Sequence, residues 1–534
     1  MCDILSITWL TSAIQTIYSW VWSPALVGLC LLTALYFSIR TRFVQVRRFG
    51  EMCRLLFNTD KTQKTGISSF QAFAMALSGR VGTGNIVGVA TAIGFGGPGA
   101  IVWMWVIAFF GAGSAFVEAT LAQIYKENHH GQFRGGPAYY IEKGLRSPFF
   151  GSIFAIISAI GCGFFMPPVQ CNGIAMSMSR TFDLAPWIVG IAVALLIALV
   201  IIGGVKRIAN VAQIIAPFMA IIYIILSIVV LAVHYDMVPT VFMEMLRGAV
   251  GASQVGAAIL GSTIAWGVKR GIYSNEAGQG TGPIVAAAAK VSHPVKQGLV
   301  QAFSVYIDTL LVCTATAMMI LACQTYNIID QVQMLPGGET NVSYLVHNPD
   351  APEGEPGVFY TSGALATVIG AKPADVVISI ALFFFAFTTI MAYYYYAETN
   401  LVYLFSRLRR RRLQRKAKHM DDTEKRHAEA ALEAAELHFG DDRSEKAAIW
   451  VLRSLTITAV FLGSVTGSGI AWTLGDIGVG AMAWINLVAI LLLSPKALRA
   501  LKEYEQSKKR GEEPVFDSKK LNIKHADFWE SQEA

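Results

Sequence analysis

Over residues 77–95 the chain reads Leu-Ser-Gly-Arg-Val-Gly-Thr-Gly-Asn-Ile-Val-Gly-Val-Ala-Thr-Ala-Ile-Gly-Phe, an apolar run that carries five glycines and one arginine. Each glycine in a helix interior costs about 1 kcal/mol relative to alanine. Gly79, Gly82, Gly84, Gly88 and Gly94 together therefore predict a helix that is interrupted here. Peptide groups freed at membrane depth need partners, so such a break must be buried in protein or line a cavity. Gly82, Thr83, Gly84 and Asn85 offer bare backbone, a hydroxyl and an amide. With carbonyls ending on one side of the break and N–H groups beginning on the other, they can hold a zwitterion and a monovalent cation side by side. No Gly-Lys-Ser/Thr follows, which argues against a phosphate loop. A second glycine- and alanine-rich stretch, residues 255–290, predicts a second broken helix with its break at residues 263–268. There Trp266 either walls a small apolar side chain or simply packs, and Gly267 frees the backbone.

The remaining polar groups in apolar surroundings fall into five sets. Arg80 lies in the first break, and an intramembrane arginine is a functional candidate by default; its plain alternative is to pair with a carboxylate and hold the break open. Asp308 and Glu118 are intramembrane carboxylates that could neutralise Arg80, bind a cation or take a proton. Lys269, Arg270, Asn275 and Glu276 are more polar than lipid permits and are expected in the cytoplasmic half, as gate or ion-pair residues. Gln170 and Asn172 place two amides within one turn of an otherwise apolar span, which points to a substrate contact. Thr388 and Thr389 are adjacent hydroxyls that can bond back to their own helix. Alternatively they supply hard oxygen ligands to a small cation, with carbonyls around Gly79 and Val81 completing the shell. No His-Glu-x-x-His or Gly-x-Ser-x-Gly pattern is present, so the chain is not read as an enzyme.

The elements that must position these residues follow from composition. Of 534 residues 54% are apolar and 15% charged, which places the chain among polytopic membrane proteins. About eleven apolar stretches are long enough for a hydrocarbon core of about 30 Å. Seven scattered cysteines read as buried thiols rather than a zinc site or disulfide framework. Residues 1–66 are expected to hold an interfacial amphipathic helix, one extra span and a cytoplasmic linker. Residues 67–233 form one set of five spans, 234–254 an external loop, and 255–493 a second set of opposite orientation. The second set includes an external loop, 324–373, and a cytoplasmic basic insert, 406–446, whose Asp421 to Lys446 part reads as a solvated helix. Residues 125–146 read as a solvated cytoplasmic connection and 494–534 as a cytoplasmic tail. Basic residues near helix ends put the N-terminus outside and the C-terminus in the cytoplasm. Paired interrupted segments in oppositely oriented halves point to an inverted-repeat transporter with its site at the midplane. The basic run is accounted for by orientation, and no nucleic-acid partner is expected.

The run Gly-Ile-Ser-Ser-Phe-Gln-Ala-Phe-Ala-Met-Ala-Leu-Ser-Gly-Arg-Val-Gly-Thr-Gly-Asn-Ile-Val-Gly-Val-Ala from Gly66 closely resembles the signature of the alanine or glycine:cation symporter family. So does Arg-Gly-Ile-Tyr-Ser-Asn-Glu-Ala-Gly-Gln-Gly from Arg270, followed by His293-Pro294 and Gln297-Gly298. The resemblance implies an all-α polytopic membrane protein of the LeuT-type fold, a five-plus-five inverted repeat with one extra N-terminal helix. It also implies symport of a small neutral amino acid, alanine or glycine, with sodium across the inner membrane. Substrate contacts would fall on Gly82, Thr83, Gly84, Asn85, Gln170, Trp266 and Gly267. Sodium would be held by Gly79, Val81, Thr388 and Thr389, with Arg80, Asp308, Glu118, Arg270 and Glu276 in coupling or gating. The chain departs from the usual family pattern at Met166-Pro167-Pro168 and in its long external loop. Proton coupling is the alternative within transporters; an ion channel or membrane-embedded enzyme is the alternative outside them.

Overall fold

A computed structural model of the chain describes residues 2–57, 66–129, 131–252, 254–334, 340–417 and 443–531. Helix α1 (Cys2–Val21) leads into α2 (Pro24–Arg40), which is followed by two short helices, α3 (Val44–Arg47) and α4 (Phe49–Phe57). α5 (Ser69–Arg80) begins at a capping box: Gln71 N–H donates to Ser68 Oγ at 3.1 Å and Ser68 N–H to Gln71 Oε1 at 3.0 Å. The chain leaves helix after Arg80 and resumes as a π-helical turn, Gly84–Gly88, continuous with α6 (Val89–Gly96). α7 (Gly99–Ile124) runs back to a two-stranded hairpin, β1 (Glu127–His129) and β2 (Gln132–Arg134), and to α8 (Pro137–Leu145). α9 (Pro148–Ile160) joins α10 (Pro167–Phe182) through a π-helical stretch, Gly161–Phe165. α11 (Pro186–Ile201), α12 (Gly204–Val233) and α13 (Val238–Ala249) complete the first half. Prolines at the first turn of α2, α8, α9, α10 and α11 mark starts where a missing N–H leaves no bond unmade.

In the second half, α14 (Gln254–Asn275) and α15 (Gly282–Ala288) are the two parts of an interrupted helix. α16 (Pro294–Val305) passes through a π-helical stretch, Tyr306–Cys313, into α17 (Thr314–Ala322). A second hairpin, β3 (Ile328–Met334) and β4 (Thr340–Val346), and α18 (Val358–Ile369) precede α19 (Ala371–Ala417). α20 (Arg443–Val465), α21 (Ser468–Lys509) and the short α22 (Asp527–Glu530) finish the chain. Among the described residues, eight helices are long and apolar enough to cross a bilayer, so this is a mostly helical polytopic membrane protein. α7 lies at the centre, packed on α2, α14, α15 and α16, while α10 packs on α19 and α20. The largest apolar cluster runs from α2 through α7 and α10 to α19 and α21.

The structure corrects several expectations. The second break is not at residues 263–268, which lie inside continuous α14; it falls at 276–281. Residues 125–146 are not a solvated loop. Tyr125, Tyr139, Tyr140 and Ile141 are buried, and Arg134 pairs with Glu398 on α19 at 2.6 Å. The end of α1 is held against α21: Trp22 Nε1 donates to Asp476 O at 2.8 Å and Trp484 Nε1 to Val21 O at 3.0 Å. The apolar runs 447–472 and 477–493 predict a boundary between Trp472 and Ile477 for the last two spans; they meet earlier, at Thr466-Gly467. The polar 324–373 connection is built from β3, β4 and α18. The chain after α21 also folds back, with Trp529 Nε1 donating to Gln123 O at 2.9 Å. Residues 421–442 of the solvated helix expected in the basic insert lie outside the described residues.

Candidate substrate and cation site

The first break forms where sequence chemistry competes with the helix ladder. Val81 takes an extended conformation, and the Gly82 N–H, which would bond Ser78 O in a continued helix, donates instead to Asn85 Oδ1 at 2.8 Å. Thr83 N–H donates to Gln170 Oε1 at 2.9 Å, so the amide on α10 reaches the break as the sequence predicted it could. A Cβ at position 82 would stand 2.5 Å from Thr389 Oγ1 and 2.8 Å from Gln170 Oε1, which is why only glycine fits between them. Thr83 Oγ1 is buried without a partner.

Ser78 O, robbed of its helical donor, faces α19. Thr389 Oγ1 lies 2.8 Å from it, 3.2 Å from Val81 O and 2.9 Å from Phe385 O. One hydroxyl carries one proton and cannot serve three carbonyls at once. Such a convergence of hard oxygens suits a small cation, and the chemistry of sodium or another oxygen-seeking ion fits it. Of the four residues expected there, Val81 and Thr389 are brought together. Gly79 is not among them; it packs against Ala392 and the Tyr396 hydroxyl, and the carbonyl that points at α19 is that of Ser78. Thr388 Oγ1 lies 3.0 Å from both Phe384 O and Phe385 O, and its one proton goes back to a carbonyl of its own helix.

The second break is made by Glu276, Gly278 and Gly280, all at positive φ (55°, 83° and 94°). Glycine takes this conformation without steric penalty, whereas a glutamate there is strained. Glu118 on α7 accepts from Gly278 N–H at 3.2 Å and from Asn486 Nδ2 at 2.8 Å, and Asn486 Nδ2 also donates to Gly278 O at 2.9 Å. Glu118 thus braces the break. Tyr396 OH donates to Glu276 Oε2 at 3.2 Å and touches Gly79, joining the two breaks through α19. A second link is Asp308, whose Oδ1 accepts from Asn85 Nδ2 at 2.6 Å and whose Oδ2 accepts from Ser274 Oγ at 2.8 Å. Gly84 lies against Tyr273 and Ser274. Arg80 does not reach a carboxylate directly; its Nη1 bonds Ser304 Oγ and Gln301 Oε1, and its Nη2 abuts Gly282.

Trp266, Gly267 and Arg270 sit elsewhere. A Cβ on Gly267 would be 2.5 Å from Ala100 O and Trp103 Cβ, so this glycine serves the packing of α14 on α7. Trp266 stacks on Phe95 at 4.8 Å, with Lys269 Nζ 3.4 Å from its ring. Arg270 forms a bidentate pair with Asp476 on α21 at 3.0 and 3.1 Å, flanked by Trp472 and lying beside Gly88. This cluster lies on the part of α14 that precedes the break. Sequence reasoning missed Asp476, Trp472, Tyr396 and Ser78. The first two could have been found as a tryptophan and a lone carboxylate within one turn of an apolar span.

If Gln170 aligns the break, Gln170→Leu leaves Thr83 N–H unpaired, a penalty of about 1–3 kcal/mol. We expect this variant to lower the stability of the purified protein by about that amount; an unchanged melting temperature would show that the amide does not order the break.

Two interrupted helices joined at a buried, oxygen-lined centre inside a polytopic bundle define a transporter rather than an enzyme. The chain belongs to the sodium:alanine symporter family, whose profile matches residues 7–417 and 434–518. It is 44% identical over 478 residues to the sodium/proton-dependent alanine carrier protein of Bacillus sp. (strain PS3), covering 89% of this chain and 96% of that one. It is 33% identical over 510 residues to the sodium/alanine symporter AgcS of Methanococcus maripaludis, covering 93% and 98%. Among solved structures, a Na+-coupled sialic acid symporter in a substrate-bound outward-open state matches at 13% identity and a TM-score of 0.41, over 91% of this chain and 86% of that one.

Proposed function

We propose that the protein is a sodium-coupled symporter that imports alanine, and glycine with it, across the inner membrane by alternating access. The supporting observation is the Thr389 hydroxyl set among the Ser78, Val81 and Phe385 carbonyls at the first break. Sodium placed there ties α5 to α19 and orders the peptide groups of Gly82, Thr83 and Gly84, where the amino-acid carboxylate and ammonium find N–H and C=O partners beside Gln170 and Asn85. The bundle of α5–α6 and α14–α15 then rocks against the scaffold. In this reading eleven spans cross the membrane: the eight long ones, the two interrupted segments and α11. α2 stands outside two inverted sets of five that start at α5 and α14, with the N-terminus outside and the C-terminus in the cytoplasm. The Arg270–Asp476 pair then closes the external side, while Trp266 lines the approach to it. In proteoliposomes at fixed pH, replacing sodium with potassium should reduce radiolabelled alanine uptake to background, and unlabelled glycine should compete; equal uptake in both salts defeats the sodium coupling. Current that does not saturate with alanine would indicate a channel instead.

A further inference from the structure

Four polar residues recur on one face of α16 and its π-helical continuation: Gln297, Gln301, Ser304 and Asp308, at spacings of four, three and four. That is a helical stripe, about 16 Å long at 1.5 Å per residue. It starts in the first turn of α16, where His293 and Lys296 meet Glu503 and Glu513 of α21 and the chain that follows it, and finishes at the link between the two breaks. All four side chains are buried, at 0–1% exposure. Both polar atoms of Gln297, Nε2 of Gln301, and Nε and Nη2 of the facing Arg80 have no partner. Unpaired buried groups cost about 1–3 kcal/mol each, so a stripe with three such atoms, faced by two more on Arg80, is built to be wetted.

From this arrangement, and resting on the symporter reading above, we propose that Asp308 is a second cation-binding group occupied by a proton, and that the α16 stripe carries water and that proton between Asp308 and the end of the bundle where the chain folds back after α21. A proton, which needs one carboxylate lone pair and no further oxygen ligands, fits here better than a metal ion, because the groups around the carboxylate are donors. Asn85 turns its Nδ2 toward Oδ1 and its own oxygen toward Gly82 N–H, and Ser274 Oγ and Thr309 Oγ1 donate to Oδ2 at 2.8 and 2.7 Å. A metal would require those oxygens to point inward. The ionised carboxylate therefore ties Asn85 of the first break to Ser274 beside the second. When water in the stripe delivers a proton to Oδ1, an O–H meets the Asn85 N–H₂, donor against donor, and that tie is released. The Asn85 amide also holds Gly82 N–H, so the proton acts on the same peptide groups proposed to bind the amino acid.

The charged and titratable groups around Asp308 are few. Arg80 approaches from α5 through Ser304 and Gln301; Glu276 stands just beyond α14; Cys313, on the same π-helical stretch, lies 3.1 Å from Ser274 Oγ. On α12, Tyr223 is held by Thr316 at 2.8 Å. On α14, Lys269 and Arg270 are turned to Asp476, and Glu118 of α7 is occupied by Gly278 and Asn486. The turn Gly84–Gly88 and α17 contribute no titratable side chain. The site also lies apart from Thr389: Ser78 and Val81 carbonyls face α19, whereas Arg80 faces α16.

The test uses the full chain in proteoliposomes, with alanine uptake driven either by a sodium gradient or, at equal sodium on both sides, by an inward proton gradient, and with an internal pH dye read in parallel. We expect the parent to respond to both gradients and to acidify the lumen with alanine. In Asp308→Asn the ratio of proton-driven to sodium-driven uptake should fall about tenfold or more, and lumenal acidification should be lost. Gln297→Leu, remote from both breaks, should lower the same ratio, and it keeps the proposal falsifiable should Asp308→Asn not fold. A parent that takes up alanine with sodium yet ignores the proton gradient overturns the proposal, as does an unchanged ratio in both variants. A parent that takes up no alanine under a sodium gradient instead overturns the symporter reading itself.

Discussion

Thr389→Val is expected to raise the sodium concentration for half-maximal alanine uptake by about ten- to a hundred-fold, because a hydroxyl bonded to a charged partner contributes about 1.5–3 kcal/mol. The effect follows from the geometry at the end of α5. Ser78 O has lost its helical donor, since Gly82 N–H goes to Asn85, and Thr389 Oγ1 is the side-chain group that meets it across the gap to α19. Valine keeps the branched shape while withdrawing the oxygen. Thr389→Ser, which keeps the oxygen, should retain most of the parent's sodium affinity. Thr388→Ala should shift it far less, because that hydroxyl is spent on a carbonyl of its own helix. Sodium titrations of uptake, checked by the sodium-dependent rise in thermal stability of the purified protein, measure all three. Equal half-saturation in Thr389→Val and parent would remove the cation from this site.

The first break was legible because five glycines in an apolar run have no purpose in a plain spanning helix, and Gln170 was legible because an amide in such a span needs a partner. The second break was misplaced for a physical reason. Glycine has two uses in membrane helices, and spacing alone does not separate them. Gly267 and Gly271 let α14 approach α7, against Ala100, Trp103 and Ile107, whereas Gly278 and Gly280 supply the left-handed backbone that ends the helix. Spacing likewise leaves open which carbonyl around Gly79 faces α19. Which carbonyl of a fraying turn faces α19 depends on helix rotation, which is set by packing against Tyr396 and Ala392. Asp476 was passed over because the boundary between the last two spans was drawn through it. A charged residue next to a presumed loop raises no question, while the same residue inside α21 does. The tertiary course of the chain after Lys509, which buries Trp529 beside Gln123 and sets Phe133, Phe528 and Trp529 around the Lys126 ammonium, has no periodic signal to read.

Asp476→Ala should be the most destabilising single change in the transporter's polar centre, lowering stability by about 3–5 kcal/mol, the cost of leaving a buried charge without its partner. Asp476 is 2% exposed and is shared by two cations: Arg270, bidentate at 3.0 and 3.1 Å, and Lys269 at 3.6 Å. Lys269 has further help from the Tyr18 hydroxyl and the Trp266 ring, and Arg270 lies over Trp472, but rings and a neutral hydroxyl do not replace a counter-charge. The variant should therefore unfold at markedly lower temperature in detergent. Replacing the whole cluster with apolar residues of similar size, Lys269→Met, Arg270→Met and Asp476→Leu together, should recover most of that loss, since a buried ion pair is seldom worth more than good packing. What the triple variant should not recover is transport. If the pair closes the α13 side over Gly88 and must separate in each cycle, an apolar plug holds that side shut, and alanine counterflow falls although the protein is stable. A triple variant that is stable and exchanges alanine at the parent's rate would make the cluster a packing device rather than a gate.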